Sequence, residues 1–246
     1  MSQFNPGQST LDLLGSYDSF MESVDSVLDM GCGTGQDLIW WATRALEDDN
    51  GDFIPLNIRC VGVDLIDNVP DIKPYKNITY RKAEFESFEL YKTDKAFDVI
   101  WANNSFQYAL DPLGTLKRWR SLLSTGGMLA MVVPSYTEVE YTRLSITQPD
   151  YAYHNYTTVS LLHILAINGF DCAFMQKHPG DPWIKAIAYK TDTEPFDPRT
   201  TRWYHLAETE LLPPSACASI NRFGYLRQQD LELEWLDRSL HWFGED

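Results

Sequence analysis

Val27-Leu28-Asp29-Met30-Gly31-Cys32-Gly33-Thr34-Gly35-Gln36 is the stretch from which the fold is read. Ser26–Met30 is a short apolar, partly β-branched run closing on a glycine-rich turn, the pattern of a buried strand. Residues 36–49 follow with Leu38, Trp41, Ala42, Ala45 and Leu46 at helical spacing, so a helix is expected over that span. Strand, glycine loop and helix in that order put the loop at the carboxyl end of a strand, where doubly wound sheets bind ligands. Glycines let the backbone turn sharply and come close to a ligand. The dinucleotide fingerprint G-x-G-x-x-G would need glycine at position 36, which is Gln36. The spacing is instead G-x-G-x-G with an acid two residues upstream, which disfavours a dehydrogenase.

Outward from this stretch, apolar runs alternate with helical patterns. Residues 58–65, 77–83, 97–103 and 128–134 read as further strands, and 111–123 and 157–170 as helices, the first stopped by Thr125-Gly126-Gly127 and the second by Gly169. Residues 47–57 (EDDNGDFIPLN) read as a loop inserted before the second strand. Residues 171–177 and 183–190 are two strands joined by HPGDP, too short for a crossover helix, so they form a hairpin. The expected fold is α/β, a doubly wound and mainly parallel sheet with helices on both faces and one antiparallel strand pair near its end. After Lys190 a Pro-, Asp- and Thr-rich linker leads to residues 201–246, where 228–243 reads as one helix.

D-x-G-x-G-x-G resembles motif I of the class I S-adenosylmethionine-dependent methyltransferases. That resemblance implies a seven-stranded sheet and a loop, Gly31, Cys32, Gly33 and Gly35, lying beneath the cofactor, with Cys32 supplying backbone. It implies that Asp64, ending Val61-Gly62-Val63-Asp64, accepts from both ribose hydroxyls, a task that suits a carboxylate facing a vicinal diol. Leu65 falls beside it, Glu84 is placed on the adenine amino group, and the backbone of Phe85 on a ring nitrogen. For Asp29, bracing the loop through its N–H groups and orienting the cofactor's ammonium group are compatible roles. Asn103, ending FDVIWAN, is a further cofactor contact. The pair of prolines typical of DNA-adenine and protein-glutamine methyltransferases is absent from Asn103-Asn104-Ser105-Phe106, and the loop resembles the small-molecule branch.

On the acceptor side the resemblance places Gln107 and Tyr108, the latter a catalytic candidate that reads equally as helix packing. The Tyr-dense stretch 134–156 matches the position of acceptor-covering insertions, with Tyr136, Tyr151, Tyr153 and Tyr156 as wall residues and His154 as the general-base candidate. Domain organisation is expected as an N-terminal cap segment (1–25), a cofactor domain (26–190) and an acidic C-terminal extension (191–246) packed on it. The implied activity is methyl transfer from S-adenosylmethionine, leaving S-adenosylhomocysteine, to an O, N or C atom of a small-molecule acceptor. Two other readings stay open, a methyltransferase acting on protein or RNA and a binding protein that kept the fold without catalysis.

The chain has 246 residues with 35 acids against 20 Lys and Arg, a formal charge of −15. Residues 1–50 carry nine acids and one base and residues 191–246 eleven acids and five bases, whereas 51–190 are nearly balanced. Such a balance argues against gripping nucleic acid through phosphates and against an anionic membrane surface. Cys32, Cys60, Cys172 and Cys217 are isolated, without C-x-x-C pairs, so no metal site is expected. No export signal or membrane-length apolar run is visible, and a cytoplasmic monomer or homodimer is expected.

Overall fold

The computed structural model describes residues 5–67, 69–90, 95–135, 153–176 and 182–226. Seven strands form one sheet: β1 (Ser26–Met30), β4 (Arg59–Asp64), β5 (Ile78–Lys82), β6 (Phe97–Asn103), β7 (Leu123–Pro134), β8 (Phe170–Gln176) and β9 (Trp183–Lys190). Their spatial order is β5-β4-β1-β6-β7-β9-β8. The first five are mutually parallel, and β9 runs antiparallel to both β7 and β8. This is the doubly wound sheet with a closing antiparallel hairpin that the sequence pattern implies. The order of crossovers reverses at β1, so the cleft outside its carboxyl end is the place for a ligand.

Strand alternation divides the core between the two faces of the sheet. Leu28, Met30, Ile100, Ala102, Leu129 and Met131 belong to one apolar cluster, and Val27, Val99, Trp101, Ala130 and Val132 to the other. Helices α1 (Gln8–Gly15), α2 (Asp18–Ser23) and α3 (Gln36–Ala42) contribute Leu11, Phe20 and Trp41 to the second cluster. Helices α4 (Pro112–Leu122) and α5 (Thr158–Ile167) cover the first with Leu116, Trp119, Leu161 and Leu165. Asp111 caps α4 by accepting from the Gly114 N–H at 3.0 Å, and Thr157 with Ser160 forms a capping box on α5.

Helices α1 and α2 fall in the stretch read only as a cap segment, and three further elements differ from the sequence reading. The helix expected over 36–49 ends at Ala42, and β2 (Ala45–Glu47) pairs antiparallel with β3 (Phe53–Pro55). The Asp48 carboxylate accepts from the Asn50 and Asp52 N–H groups, each at 2.9 Å, and Gly51 takes φ +85°, so this acidic segment closes a hairpin rather than a plain loop. Strand β7 starts at Leu123, directly after α4, where the Ser124 hydroxyl bonds the Phe97 carbonyl at 2.9 Å. In the extension, α6 (Trp203–Ala207) and α7 (Pro214–Phe223) precede the expected helix over 228–243, which lies outside the described residues. Leu206, Leu211 and Ile220 are buried in the first cluster, and the Cys172 N–H donates to the Leu211 carbonyl at 2.9 Å. Among the described residues no helix is long and apolar enough to cross a membrane.

Candidate active site

A cavity of about 720 Å³ opens at the carboxyl ends of β1, β4 and β6. Its floor is the glycine loop. The Gly31 and Cys32 N–H groups donate to the Val63 carbonyl at 2.8 and 3.1 Å, which ties the loop to the end of β4. Gly31, Gly33 and Gly35 have φ of +86°, +52° and +83°. A Cβ on Gly31 would lie 2.4 Å from that of Ser105, whose hydroxyl donates to the Met30 carbonyl. A Cβ on Gly33 would meet nothing within 4 Å. The two glycines therefore serve different needs: one lets β1 and β6 close together, the other leaves room over the loop.

Asp64 spans the gap between loop and strand. One carboxylate oxygen accepts from the Gly33 N–H at 2.8 Å, and the other from the Leu65 and Ile66 N–H groups at 2.7 and 3.3 Å. Leu65 projects largely exposed at the cavity wall. The Asp64 carbonyl receives the Ala83 N–H at 3.0 Å and the Tyr80 hydroxyl at 2.9 Å, and this brings the 83–86 segment to the same cavity. Glu84 is exposed along its rim. Phe85 packs edge-to-face on Trp119, and its carbonyl accepts from the Trp119 indole at 3.1 Å.

Deeper in the cavity lies a group of carboxylates. Asp29 is 2% exposed, and its Oδ2 has no hydrogen-bond partner. Burial raises its pKa well above the usual carboxylate range, and the charges of Asp37 and Asp64 raise it further. Burial likewise pushes the Cys32 thiol up, so Cys32 is a neutral floor residue. Asp37 accepts from the Trp101 indole at 2.7 Å, the Asn103 amide at 2.8 Å and the Asn5 amide at 2.7 Å. Asn5 also accepts from Asn103 at 2.6 Å and from the Gly7 N–H at 2.9 Å. Asn103 thus lines the cavity as one member of a network, with its own Oδ1 buried and without a partner. Sequence reasoning missed Asn5 and Asp37. The only local signal was an acid in the first turn after the glycine loop.

The acceptor-side candidates separate into two groups. Tyr108 and Tyr153 both line the cavity and meet edge-to-face, with ring centroids 6.4 Å apart. Gln107 is fully buried outside the lining. Its side-chain amide nitrogen bonds the Asn104 carbonyl and side chain at 3.0 and 2.7 Å, and its backbone carbonyl accepts from the Tyr153 and His154 N–H groups, each at 3.0 Å. The His154 imidazole is also outside the lining and faces Tyr156 at 6.4 Å. Tyr156 is buried and stacks on Phe106 at 5.5 Å, so it belongs to the core. Tyr136 and Tyr151 lie outside the described residues.

Comparison with known proteins adds three observations. A family model described as a methyltransferase domain matches residues 22–195. The malonyl-[acyl-carrier protein] O-methyltransferase 2 of Ilyobacter polytropus is 30% identical over 122 residues, covering 48% of this chain and 42% of that protein. The chain thus matches less than half the length of this curated relative. Among solved structures, the 1,6-didemethyltoxoflavin-N1-methyltransferase of Burkholderia thailandensis, with bound 1,6-didemethyltoxoflavin and S-adenosylhomocysteine, superposes with TM-score 0.57 at 16% identity, over 76% of this chain and 79% of that one. The N-methyltransferase NodS of Bradyrhizobium japonicum superposes with TM-score 0.53 at 14% identity, over 76% and 97%. At these identities the superpositions speak for the shared fold.

Proposed function

This chain belongs to the methyltransferase domain family, and from that premise we propose that it transfers the methyl group of S-adenosylmethionine to an O, N or C atom of a small molecule. The observation that carries this reading is Asp64. Its carboxylate is fixed by three backbone N–H groups at the end of β4, directly across Gly33, and faces the cavity. Three of its about four acceptor sites are taken in this way, which leaves one on the oxygen hydrogen-bonded to Gly33 for a ribose hydroxyl, and the long bond from Ile66 at 3.3 Å is the one a second hydroxyl would replace.

The other residues fit the same cofactor. Gly33 leaves open space above the loop, where a ligand would approach the backbone. The unpartnered Asp29 oxygen, buried beside Asp37, is suited to an ammonium group that would satisfy it. Glu84 and the Phe85 backbone border the cavity on the side beyond Leu65, where an adenine would lie. When bound, the cofactor supplies a methyl group on an electrophilic sulfonium.

The chain's own contribution is then to hold an acceptor in line and keep water out, which supplies much of the rate in a displacement of this kind. Tyr108 and Tyr153 wall the acceptor side in this proposal. His154, held by the same Gln107 carbonyl, is the base candidate next to that wall. The small-molecule assignment draws on the acceptor named for the Burkholderia enzyme, whereas the one named for the Ilyobacter enzyme is borne on a carrier protein. The net charge of −15 speaks against a nucleic-acid acceptor. The reading is tested by incubating the full chain with methyl-labelled cofactor and a metabolite extract. Label should appear in a low-mass product identified by mass spectrometry. Label confined to macromolecules, or no transfer by a chain that binds cofactor, would overturn it.

A further inference from the structure

We propose that the acceptor half of the cavity takes an organic cation, above all an amine, and turns away carboxylates and phosphates. The proposal rests on the methyltransferase reading and deepens it to a substrate class.

The aromatic wall is a built feature. Asn104 turns at φ +56°, and the fully buried Gln107 folds its amide back onto Asn104. The backbone carbonyl of Gln107 accepts from the consecutive N–H groups of Tyr153 and His154. One buried residue thereby fixes the backbone of Tyr153 beside that of its own neighbour Tyr108. The two rings stand at 88° to each other, with both residues lining the cavity, and so form two walls of a corner. Tyrosine π-faces attract ammonium groups, and the attraction strengthens as water is excluded.

The charge around this corner has one sign. Of the carboxylates lining the cavity, Asp29, Asp64 and Glu84 are the ones given to the cofactor above, which leaves Asp37 and Glu86 for the acceptor half, and among the described residues no Lys, Arg or His lines it. Asp37 takes its hydrogen bonds from the amides of Asn5 and Asn103 and the indole of Trp101, which are neutral donors that leave its charge uncompensated. An anion entering this cavity meets repulsion from its charged wall residues and, among the described residues, no guanidinium or ammonium to pair with. A cation meets attraction from the carboxylates and from the rings.

The test uses a size-matched pair of probes, phenethylamine and phenylpropionate, with the full chain saturated by S-adenosylhomocysteine so that the cofactor's own place is filled. Ligand-observed NMR titration should show the amine binding about tenfold tighter than the carboxylate. Its affinity should fall in high salt and fall again in Tyr153→Ala, whose exposed side chain makes the substitution compatible with folding. Equal or tighter binding of phenylpropionate overturns the proposal, as does amine binding that is absent or indifferent to Tyr153→Ala. A chain that fails to bind S-adenosylhomocysteine overturns instead the methyltransferase reading beneath it.

Discussion

The glycines of the loop are alike in sequence and unlike in consequence. Gly31→Ala places a methyl group 2.4 Å from the Ser105 Cβ in a left-handed backbone, so overpacking adds to conformational strain. Denaturant unfolding should register a loss of about 1–3 kcal/mol or more. Gly33→Ala meets no protein atom within 4 Å and carries only the left-handed penalty, about 1–2 kcal/mol. It should fold, yet lose at least about tenfold in affinity for S-adenosylhomocysteine, because its methyl group occupies the ligand's space. Asp29 gives a second contrast. Its pKa in the folded chain is raised, so its ionised form costs stability at neutral pH, and that cost disappears as pH falls toward the unfolded value near 4. Asp29→Asn should therefore raise the urea midpoint at pH 7, with a gain that shrinks toward about pH 4, while weakening ligands that carry an ammonium group. At this scale the sequence was most legible where the chemistry is local. The glycine loop and Asp64 sit in one short motif each. The Asn5–Asp37–Asn103 network joins residues up to 98 positions apart, and no local pattern announces it.

At the scale of elements, periodicity located the seven strands of the main sheet and helices α3, α4 and α5, passed over α1, α2, α6 and α7, and erred where two periods coincide. Ala45 and Leu46 continue the helical spacing of Leu38, Trp41 and Ala42, so the pattern alone extends α3 past its end. At its end the Thr43 hydroxyl and the Arg44 side chain donate to the Ile39 and Trp40 carbonyls at 2.8 and 2.9 Å, and Ala45–Glu47 then pairs with Phe53–Pro55 across the Asp48 turn. The short helices α6 and α7 escaped notice because Pro213, Pro214 and the Thr-rich linker read as loop. Their apolar faces are legible only against the sheet they cover. Caps were readable: Asp111 and Thr157 stand where the helical patterns begin. Thr157→Ala removes the capping box of α5 and should cost about 1 kcal/mol, a fall of about 2–4 °C in Tm for a domain of this size. Affinity for S-adenosylhomocysteine should not change.

For the whole molecule, the sequence divides the chain by charge and the structure joins it by packing. The nearly neutral middle holds the sheet, while the acidic ends supply α1 and α2 on one face and α6 and α7 on the other. Leu206, Leu211, Leu212, Ala216 and Ile220 share one apolar cluster with the sheet and α5. A chain ending at Lys190 should therefore expose that face, and size-exclusion chromatography should find it aggregated rather than folded. The N-terminal segment reaches the cavity itself through Asn5 and Pro6, and Asn5 is tied there to Asp37. The account stands on Asp64 holding the ribose of S-adenosylmethionine at the end of β4. Isothermal titration of S-adenosylhomocysteine into the full chain and into Asp64→Ala tests that claim most directly. The prediction is saturable one-site binding by the wild-type chain, weakened about 10- to 100-fold in the variant through lost charge-assisted hydrogen bonds. Absence of binding at high micromolar ligand, or equal affinity in the two proteins, would contradict it.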